Sequence, residues 1–209
     1  MMNYKEKLIR SLKEKKFPEN IINAFHLSDR EKFIPKKYKE SSYFDIPIPI
    51  GYGQTISQPY TIAFMLTLLN VKNNQKILEV GSGSGYVLDL LSKLSPHGNI
   101  FGIERIIALV KKSEKTLAEN KNIKIIYGDG SKGLGTEAPF DRILVSATSK
   151  NIPQQLVNQL KIKGILVAPV NETLVYVKKD SGMNKVKEYP GFIFVPLIEN
   201  FEELEGGDE

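Results

Sequence analysis

The pattern of apolar and polar positions changes twice along the chain. In residues 3–26, apolar side chains such as Tyr4 and Leu12 recur at helical spacing, which predicts one or two short helices. Residues 27–60 contain four prolines and two glycines and keep no sustained period. Their many aromatic and aliphatic residues argue against disorder, so we predict a long functional loop there. Residues 61–70 then predict a short buried helix.

From residue 76 onward, short apolar strands alternate with amphipathic helices. The predicted strands are 76–80, 99–104, 123–129, 140–146 and 164–170, and the predicted helices are 86–94, 106–120 and 153–160. This alternation predicts an α/β fold with a mostly parallel, Rossmann-like sheet and helices on both faces. Because no helical pattern separates residues 173–179 from 192–197, we predict that these two segments form an antiparallel strand pair at one edge.

The composition excludes several kinds of chemistry. The chain has no cysteine and only two histidines, His26 and His97. Disulfides, thiolate metal sites and a cysteine nucleophile are therefore excluded, and we expect no metal. The longest nearly apolar stretch, residues 61–69, is too short to span a bilayer, so we expect a cytoplasmic protein.

Charge is distributed unevenly around a net value of +5. Residues 1–40 hold eleven Lys or Arg against six Asp or Glu, whereas residues 199–209 hold six acids and no base. The basic front could bind nucleic acid or could be a solvated helix face. We expect the solvated face, because no regular interleaving of aromatic and basic residues accompanies the charge. We also expect a mobile acidic tail and a monomer, since no apolar surface helix is evident.

Three glycines follow the first strand of the alternating region in the segment LEVGSGSGY. Gly81, Gly83 and Gly85 would let the backbone turn sharply and approach a ligand at the carboxyl end of that strand. The dinucleotide fingerprint G-x-G-x-x-G would require glycine where Tyr86 stands. Neither a phosphate-binding G-x-x-x-x-G-K-[ST] motif nor a hydrolase G-x-S-x-G motif occurs in the sequence.

Three acidic residues accompany the glycine loop at the ends of consecutive strands. Glu79 precedes it, Glu104 ends the second strand, and Asp129 follows the third. A carboxylate at Glu104 can accept hydrogen bonds from both ribose hydroxyls, and Asp129 could reach an adenine amino group. Carboxylates favour an ammonium and a sulfonium over phosphates, so we expect S-adenosylmethionine (SAM). NAD and a loop that merely turns the chain are the alternatives. The candidate cofactor-binding residues are Glu79, Gly81, Ser82, Gly83, Gly85, Glu104, Arg105, Asp129 and Gly130.

Several ordered segments of the chain resemble the protein-L-isoaspartate O-methyltransferases. They are REKFIP (30–35), YFDIPIPIGYGQTISQPY (43–60), ILEVGSGSGY (77–86), GIER (102–105), GDG (128–130), APFDRILV (138–145) and FVPL (194–197). The segment GQTISQP is the most specific, because it lies upstream of the cofactor fold. The resemblance implies a SAM-dependent methyltransferase that methylates the free α-carboxylate of L-isoaspartyl residues in damaged proteins, a repair reaction.

The resemblance also implies roles for three residues of the long loop. Ser57 matches the active-site serine of the family and would orient the substrate carboxylate, while Thr55 and Gln54 would support it. That carboxylate has a pKa of about 3.5 and is ionised at pH 7, so no general base is required. The alternative for Ser57 is a helix cap, because a Thr-x-Ser-x-Pro string can cap the helix that starts near residue 60.

Two other functions remain open at this point. The chain could methylate another acceptor such as RNA, or it could be a protein that keeps the fold without catalysis. We expect residues 1–60 to form N-terminal helices and a substrate-side loop within the same globule. Residues 61–198 would form the SAM-binding domain, and 199–209 the tail. One departure from the family pattern is the short loop after Val170.

Overall fold

The computed structural model describes residues 4–198, so the predicted tail at 199–209 lies outside the described residues. The helices are α1 (Tyr4–Glu14), α2 (Glu19–Leu27), α3 (Pro59–Leu69), α4 (Tyr86–Leu94), α5 (Ile107–Thr116) and α6 (Gln154–Asn158). The strands are β1 (Ile48–Gly51), β2 (Gln54–Ile56), β3 (Lys76–Val80), β4 (Asn99–Glu104), β5 (Ile123–Tyr127), β6 (Phe140–Val145), β7 (Leu160–Val170), β8 (Thr173–Lys178) and β9 (Lys185–Pro190).

A seven-stranded sheet in the order β5-β4-β3-β6-β7-β8-β9 carries the fold. Strands β3 to β7 pair in parallel, whereas β8 pairs antiparallel with both β7 and β9. Strands β1 and β2 form a separate antiparallel hairpin. The predicted α/β class, with a mostly parallel Rossmann-like sheet, is therefore confirmed.

Both faces of the sheet are buried, and successive residues of β3 show why. Ile77 belongs to one hydrophobic core and Leu78 to the other, because side chains alternate across a strand. Apolar residues of helices α1 to α5 belong to the first core, whereas the second is covered by the short α6 and by loops. Helices thus lie on both faces, as predicted, although unequally.

The N-terminal helices extend the first core. Helix α1 packs on α2 and α3, and α2 packs on α4. Leu12 and Phe25, which are 1% and 2% exposed, belong to the same core as the sheet residue Ile77. The loop that follows α2 therefore starts from a fixed position beside α4. The predicted division into residues 1–60 and 61–198 stays a prediction.

The placement of the last strand was wrong. The edge strand is β9, Lys185–Pro190, and not residues 192–197. Most side chains of β9 are exposed, so it lacks the apolar pattern that reveals a buried strand. The apolar segment instead crosses the carboxyl end of the sheet, where the Leu197 amide donates to Thr148 O (2.7 Å) and the Thr148 amide to Val195 O (2.8 Å).

The long loop also contains regular structure that the sequence did not reveal. Two 3₁₀ turns, Arg30–Phe33 and Lys36–Ser41, precede the β1–β2 hairpin. The hairpin strands are four and three residues long, too short to show a period. Within residues 4–198, none of the helices is long and apolar enough to cross a membrane, and no group of three His, Cys, Asp or Glu could hold a metal ion.

Candidate active site

A cleft opens at the carboxyl ends of β3, β4 and β6. It encloses about 960 Å³, part of it open to solvent, and we call it the strand-end cleft. Its floor is the glycine loop after β3, and its other walls come from the ends of β4 and β6, the hairpin and the segment 195–198. Open parallel sheets bind ligands at this position.

The glycine loop is held against β4 by backbone hydrogen bonds. The amides of Gly81 and Ser82 donate to Ile103 O at 2.8 and 3.1 Å. Gly81, Gly83 and Gly85 all have positive φ angles, which only glycine adopts without cost. Gly81, Ser82 and Gly83 line the cleft, as the prediction for cofactor-binding residues requires.

Glycine is required at position 85 for packing rather than for contact with a ligand. It is absent from the lining of the cleft and precedes the first residue of α4 with φ 84°. A Cβ atom there would lie 2.8 Å from Leu117 Cδ1 and 3.0 Å from Ser113 Cβ. Gly85 therefore allows both the turn into α4 and the close packing of this turn against the C-terminal end of α5.

Glu104 connects the second strand end to the glycine loop. Its Oε2 accepts from the Gly83 amide (2.8 Å) and its Oε1 from the Ile106 amide (2.9 Å). Burial raises the pKa of Glu104, and these backbone hydrogen bonds oppose that rise. A carboxylate oxygen can accept more than one hydrogen bond, so capacity for ribose hydroxyls remains. Arg105 lines the cleft beside it.

Glu79 is the most strongly perturbed carboxyl group of the cleft. Its Oε1 accepts from Ser146 Oγ (2.8 Å), and its buried Oε2 has no hydrogen-bond partner within residues 4–198. Burial raises the pKa of Glu79 to about 8, which the Ser146 hydroxyl opposes and the charge of Glu104 reinforces. Ser146 was not among the predicted site residues, although its position at the end of the predicted strand 140–146 could have indicated it.

Asp129 and Gly130 follow the end of β5 and have different roles. Asp129 Oδ1 accepts from the amide and hydroxyl of Ser131, while its buried Oδ2 makes no hydrogen bond in the described chain and lies 3.8 Å from Lys132 Nζ. Gly130 lines the cleft, whereas Asp129 is not among the residues that line it. A Cβ on Gly130 would lie 2.5 Å from Val80 Cγ1, so only glycine fits.

The polar atoms of the cleft fit SAM. Within the part of the chain that the structure describes, Glu79 Oε2, Ser82 Oγ and Asp129 Oδ2 are buried without a hydrogen-bond partner. Buried polar groups are normally paired, so two such atoms in the lining of the cleft and a third on the neighbouring Asp129 fit a polar ligand. Two of the three are carboxylate oxygens, which accept from ammonium, hydroxyl and amino groups rather than bind phosphate.

Ser57 lies where the strand-end cleft meets a second cavity. Nothing within residues 4–198 hydrogen-bonds to its hydroxyl, and the N-terminus of α3 has no capping contact from its Gln58 N-cap side chain. Instead, Asp45 Oδ1 accepts from the Tyr60 amide in the first turn of α3 (2.8 Å). The helix-cap alternative for Ser57 is therefore wrong, and its hydroxyl is available to a ligand.

Thr55 and Gln54 belong to β2 and line the same cleft. Thr55 also borders the second cavity, as Ser57 does. Gln54 Nε2 donates to Tyr52 O (3.1 Å) across the hairpin tip, where Gly51, Tyr52 and Gly53 all have positive φ. The structure thus places all three loop residues of the sequence prediction beside the glycine loop.

The second cavity is a wide groove with aromatic walls, which we call the aromatic groove. It encloses about 1800 Å³, open to solvent, and its partly exposed aromatic residues are Tyr60, Phe64, Tyr189, Phe192 and Phe194. Phe64 stacks on Phe192 at 5.2 Å and meets Tyr189 edge-on at 5.4 Å. The groove leads directly to Ser57, so a long substrate could lie in it while one group enters the cleft.

The short turn after Val170 supports one wall of this groove. Glu172 O accepts from the amides of Gly191 (2.9 Å) and Phe192 (3.0 Å). Asn171 has a φ of 53° and its carbonyl accepts from Thr148 Oγ (2.9 Å). The turn that departs from the family pattern therefore anchors the segment that carries Phe192.

The fold and the cleft together define a SAM-dependent methyltransferase. A sheet with this order, a glycine loop and acidic strand ends without a phosphate site are the features of that class. The family model for protein-L-isoaspartate(D-aspartate) O-methyltransferases matches residues 2–202 of the chain. The chain belongs to this family.

Relatives agree with the family assignment over nearly the whole chain. The protein-L-isoaspartate O-methyltransferase of Methanothrix thermoacetophila is 40% identical over 200 residues, which cover 93% of this chain and 94% of that protein. The enzyme of the same name from Fervidobacterium nodosum is 46% identical over 184 residues, covering 85% and 92%.

A solved structure supports the fold. The protein-L-isoaspartate O-methyltransferase structure from Plasmodium falciparum, in complex with S-adenosyl-L-homocysteine, superposes with a TM-score of 0.84. It is 29% identical, and the match covers 96% of this chain and all of that chain.

Proposed function

We propose that the protein transfers the methyl group of SAM to the free α-carboxylate of L-isoaspartyl residues in damaged proteins. The observation that carries the proposal is the unpartnered Ser57 hydroxyl at the junction of the strand-end cleft and the aromatic groove. Family membership supports the same reaction. The groove supports a polypeptide acceptor, because its solvent-open space of about 1800 Å³ exceeds what a single carboxylate requires.

The cofactor side of the reaction would be held by the strand ends. We propose that Glu104 accepts from the ribose hydroxyls, Asp129 from the adenine amino group, and Glu79 from the ammonium group of SAM. The backbone of Gly81, Ser82 and Gly83 would approach the aminoacyl part. The remaining predicted residues, Gly85, Arg105 and Gly130, would shape or border the cleft. When bound, SAM supplies a methyl group on a sulfonium, which a carboxylate can attack directly.

On the acceptor side the chain needs to position a carboxylate rather than move a proton. The Ser57 hydroxyl would donate to one oxygen of the substrate carboxylate and leave the other free to react. Thr55 and Gln54 would border the same carboxylate. Well-oriented reactants can gain about 7–11 kcal/mol over free encounter, so positioning and exclusion of water suffice for catalysis.

The proposal is tested by transfer of labelled methyl from SAM to a short peptide that contains L-isoaspartate. The same peptide with normal aspartate is the control, and RNA is a third acceptor. We expect a base-labile label in the isoaspartyl peptide only. Label in the RNA, or none in either peptide while SAM binds, would contradict the proposed acceptor.

A further inference from the structure

Arg30 is a buried cation that the proposed chemistry does not use. It begins the 3₁₀ turn Arg30–Phe33, has no exposed surface, and is among the largest fully buried side chains of the described chain. Arginine is rarely buried so completely, because removing a guanidinium from water costs several kcal/mol unless it is paired. The complete burial of Arg30 therefore needs a structural or functional explanation.

The guanidinium of Arg30 is incompletely paired. Its Nη2 donates to the backbone carbonyl of Ser57 (2.9 Å), while Nε and Nη1 have no acceptor within residues 4–198. Its central carbon lies 5.1 Å from the ring centre of Tyr86, a cation–π arrangement. Burial lowers the pKa of Arg30, whereas Tyr86 and Asp45 oppose that change. Arginine stays charged in proteins, so the group remains a cation.

The hydrogen bond of Arg30 to Ser57 and its ring contact with Tyr86 connect the acceptor side of the site to its cofactor side. Ser57 carries the free hydroxyl on the acceptor side, and its carbonyl precedes the first turn of α3. Tyr86 is the first residue of α4 after the glycine loop and lines the strand-end cleft. Phe33, from the same 3₁₀ turn as Arg30, also packs on Tyr86 at 5.4 Å. Arg30 thus bridges the Ser57 segment and the helix behind the glycine loop.

We propose that Arg30 is a positioning residue for methyl transfer, and this inference rests on the function proposed above. Its hydrogen bond fixes the main chain at Ser57 and thereby the distance between the Ser57 hydroxyl and the cofactor side of the cleft. A buried cation is weak evidence for stability, because an apolar residue of similar size often stabilises a fold equally well. Precise placement matters more, since a displacement of about 1 Å can cost roughly 100-fold in rate.

Arg30→Met removes the charge and the donor but keeps an unbranched apolar stem. We expect the dissociation constant for S-adenosylhomocysteine to stay within about twofold, because Arg30 does not line the cleft. We expect kcat on the isoaspartyl peptide to fall about 10- to 100-fold, as for a misplaced catalytic group. Arg30→Lys keeps a cation and a donor and should recover part of kcat.

A double-mutant cycle with Ser57→Ala separates positioning from packing. If Arg30 acts through Ser57, Arg30→Met should cost little further kcat in the Ser57→Ala background, because coupled residues are not additive. The matched control is Arg142→Met. Arg142 is also a buried arginine bound to backbone carbonyls, but those of Leu69 and Asn70 at the far end of α3. The Arg142→Met variant should be less stable than wild type, while its folded fraction should keep the wild-type kcat.

Three results would overturn the inference: wild-type kcat in folded Arg30→Met, an equal loss in the Ser57→Ala background, or loss of S-adenosylhomocysteine binding. If Arg30→Met does not fold, Arg30→Lys and Arg30→Gln are measured in its place. A kcat unchanged in Arg30→Gln, whose shorter side chain carries no charge, would count against the positioning role of Arg30. An inactive wild type would instead refute the proposed function, and with it the inference.

Discussion

We expect the Ser57 hydroxyl to hold the acceptor carboxylate, because it has no hydrogen-bond partner within residues 4–198 and borders both cavities. Ser57→Ala should lower kcat/KM for the isoaspartyl peptide about 10- to 100-fold, since a hydrogen bond to a charged group contributes about 1.5–3 kcal/mol. Initial rates of labelled methyl transfer measure this. The control is Ser181→Ala, whose hydroxyl donates to the exposed Asp180. Equal rates for Ser57→Ala and wild type would contradict the role of the hydroxyl.

The buried carboxyl group of Glu79 makes the free protein sensitive to pH. Its pKa is about 8 in the fold against an ordinary value of 4.5, because burial disfavours the charged form. Between those two values the folded state binds more protons than the unfolded chain, so this group lowers the free energy of unfolding as pH rises. Below pH 4.5 it contributes nothing, and above pH 8 the loss is constant.

Glu79→Gln should therefore gain stability relative to wild type as pH rises from 5 to 8. The gain should be at most about tenfold in the unfolding equilibrium per pH unit. Urea unfolding of the free proteins at pH 5, 6.5 and 8 measures it. Glu14→Gln on the exposed end of α1 controls for the loss of a surface carboxylate. A difference between Glu79→Gln and wild type that does not change with pH would refute the perturbed pKa.

At the scale of elements, the connection between β5 and β6 packs against β3 through Gly130. A Cβ on Gly130 would lie 2.5 Å from Val80 Cγ1 on β3, whereas a Cβ on Gly128 would meet nothing within 4 Å. Gly130→Ala should destabilise the protein by about 1–3 kcal/mol through overpacking and weaken S-adenosylhomocysteine binding. Gly128→Ala should do neither. Thermal unfolding measures the stability of the two variants, and calorimetry measures their S-adenosylhomocysteine binding. Equal values for both variants would contradict the packing role of Gly130.

The aromatic groove between α3 and the segment after β9 should contribute to peptide affinity. Phe64→Ala removes the side chain that contacts both Phe192 and Tyr189. Its KM for a peptide with an aromatic residue beside the isoaspartate should rise about 2- to 12-fold, from the 0.5–1.5 kcal/mol of an aromatic contact. Phe44→Ala, whose ring meets Tyr4 instead, is the control. An unchanged KM for Phe64→Ala would exclude the groove as the peptide path.

At the scale of the whole molecule, the cofactor should stabilise the fold, because the strand-end cleft brings together β3, β4, β6 and the hairpin. S-adenosylhomocysteine at a hundred times its dissociation constant adds about 2.7 kcal/mol. For a chain of this size that corresponds to a rise of roughly 5–11 °C in Tm. NAD at the same concentration should leave Tm unchanged, and a shift with NAD alone would favour the dinucleotide alternative.

Local sequence determined most of the sheet and its helices. Strands Lys76–Val80 and Asn99–Glu104 and helix Tyr86–Leu94 have the predicted bounds, because buried strands and amphipathic helices show their period within a few residues. The glycine loop was equally evident. These features depend on neighbouring residues, so the sequence by itself determined the fold class and predicted the cleft at the carboxyl ends of the strands as the cofactor site.

Tertiary structure alone decided the rest. The exposed strand Lys185–Pro190 forms because β8 offers it backbone partners, not because its side chains show a pattern. Ser146 meets Glu79 across 67 positions of sequence, and Arg30 reaches Ser57 across 27. Whether a carboxyl group is desolvated or a hydroxyl is left free depends on residues far away in the chain, so no local pattern records it. The sequence predicted most of the candidate site residues, whereas three-dimensional packing sets the pKa of Glu79 and leaves the hydroxyl of Ser57 without a partner within residues 4–198.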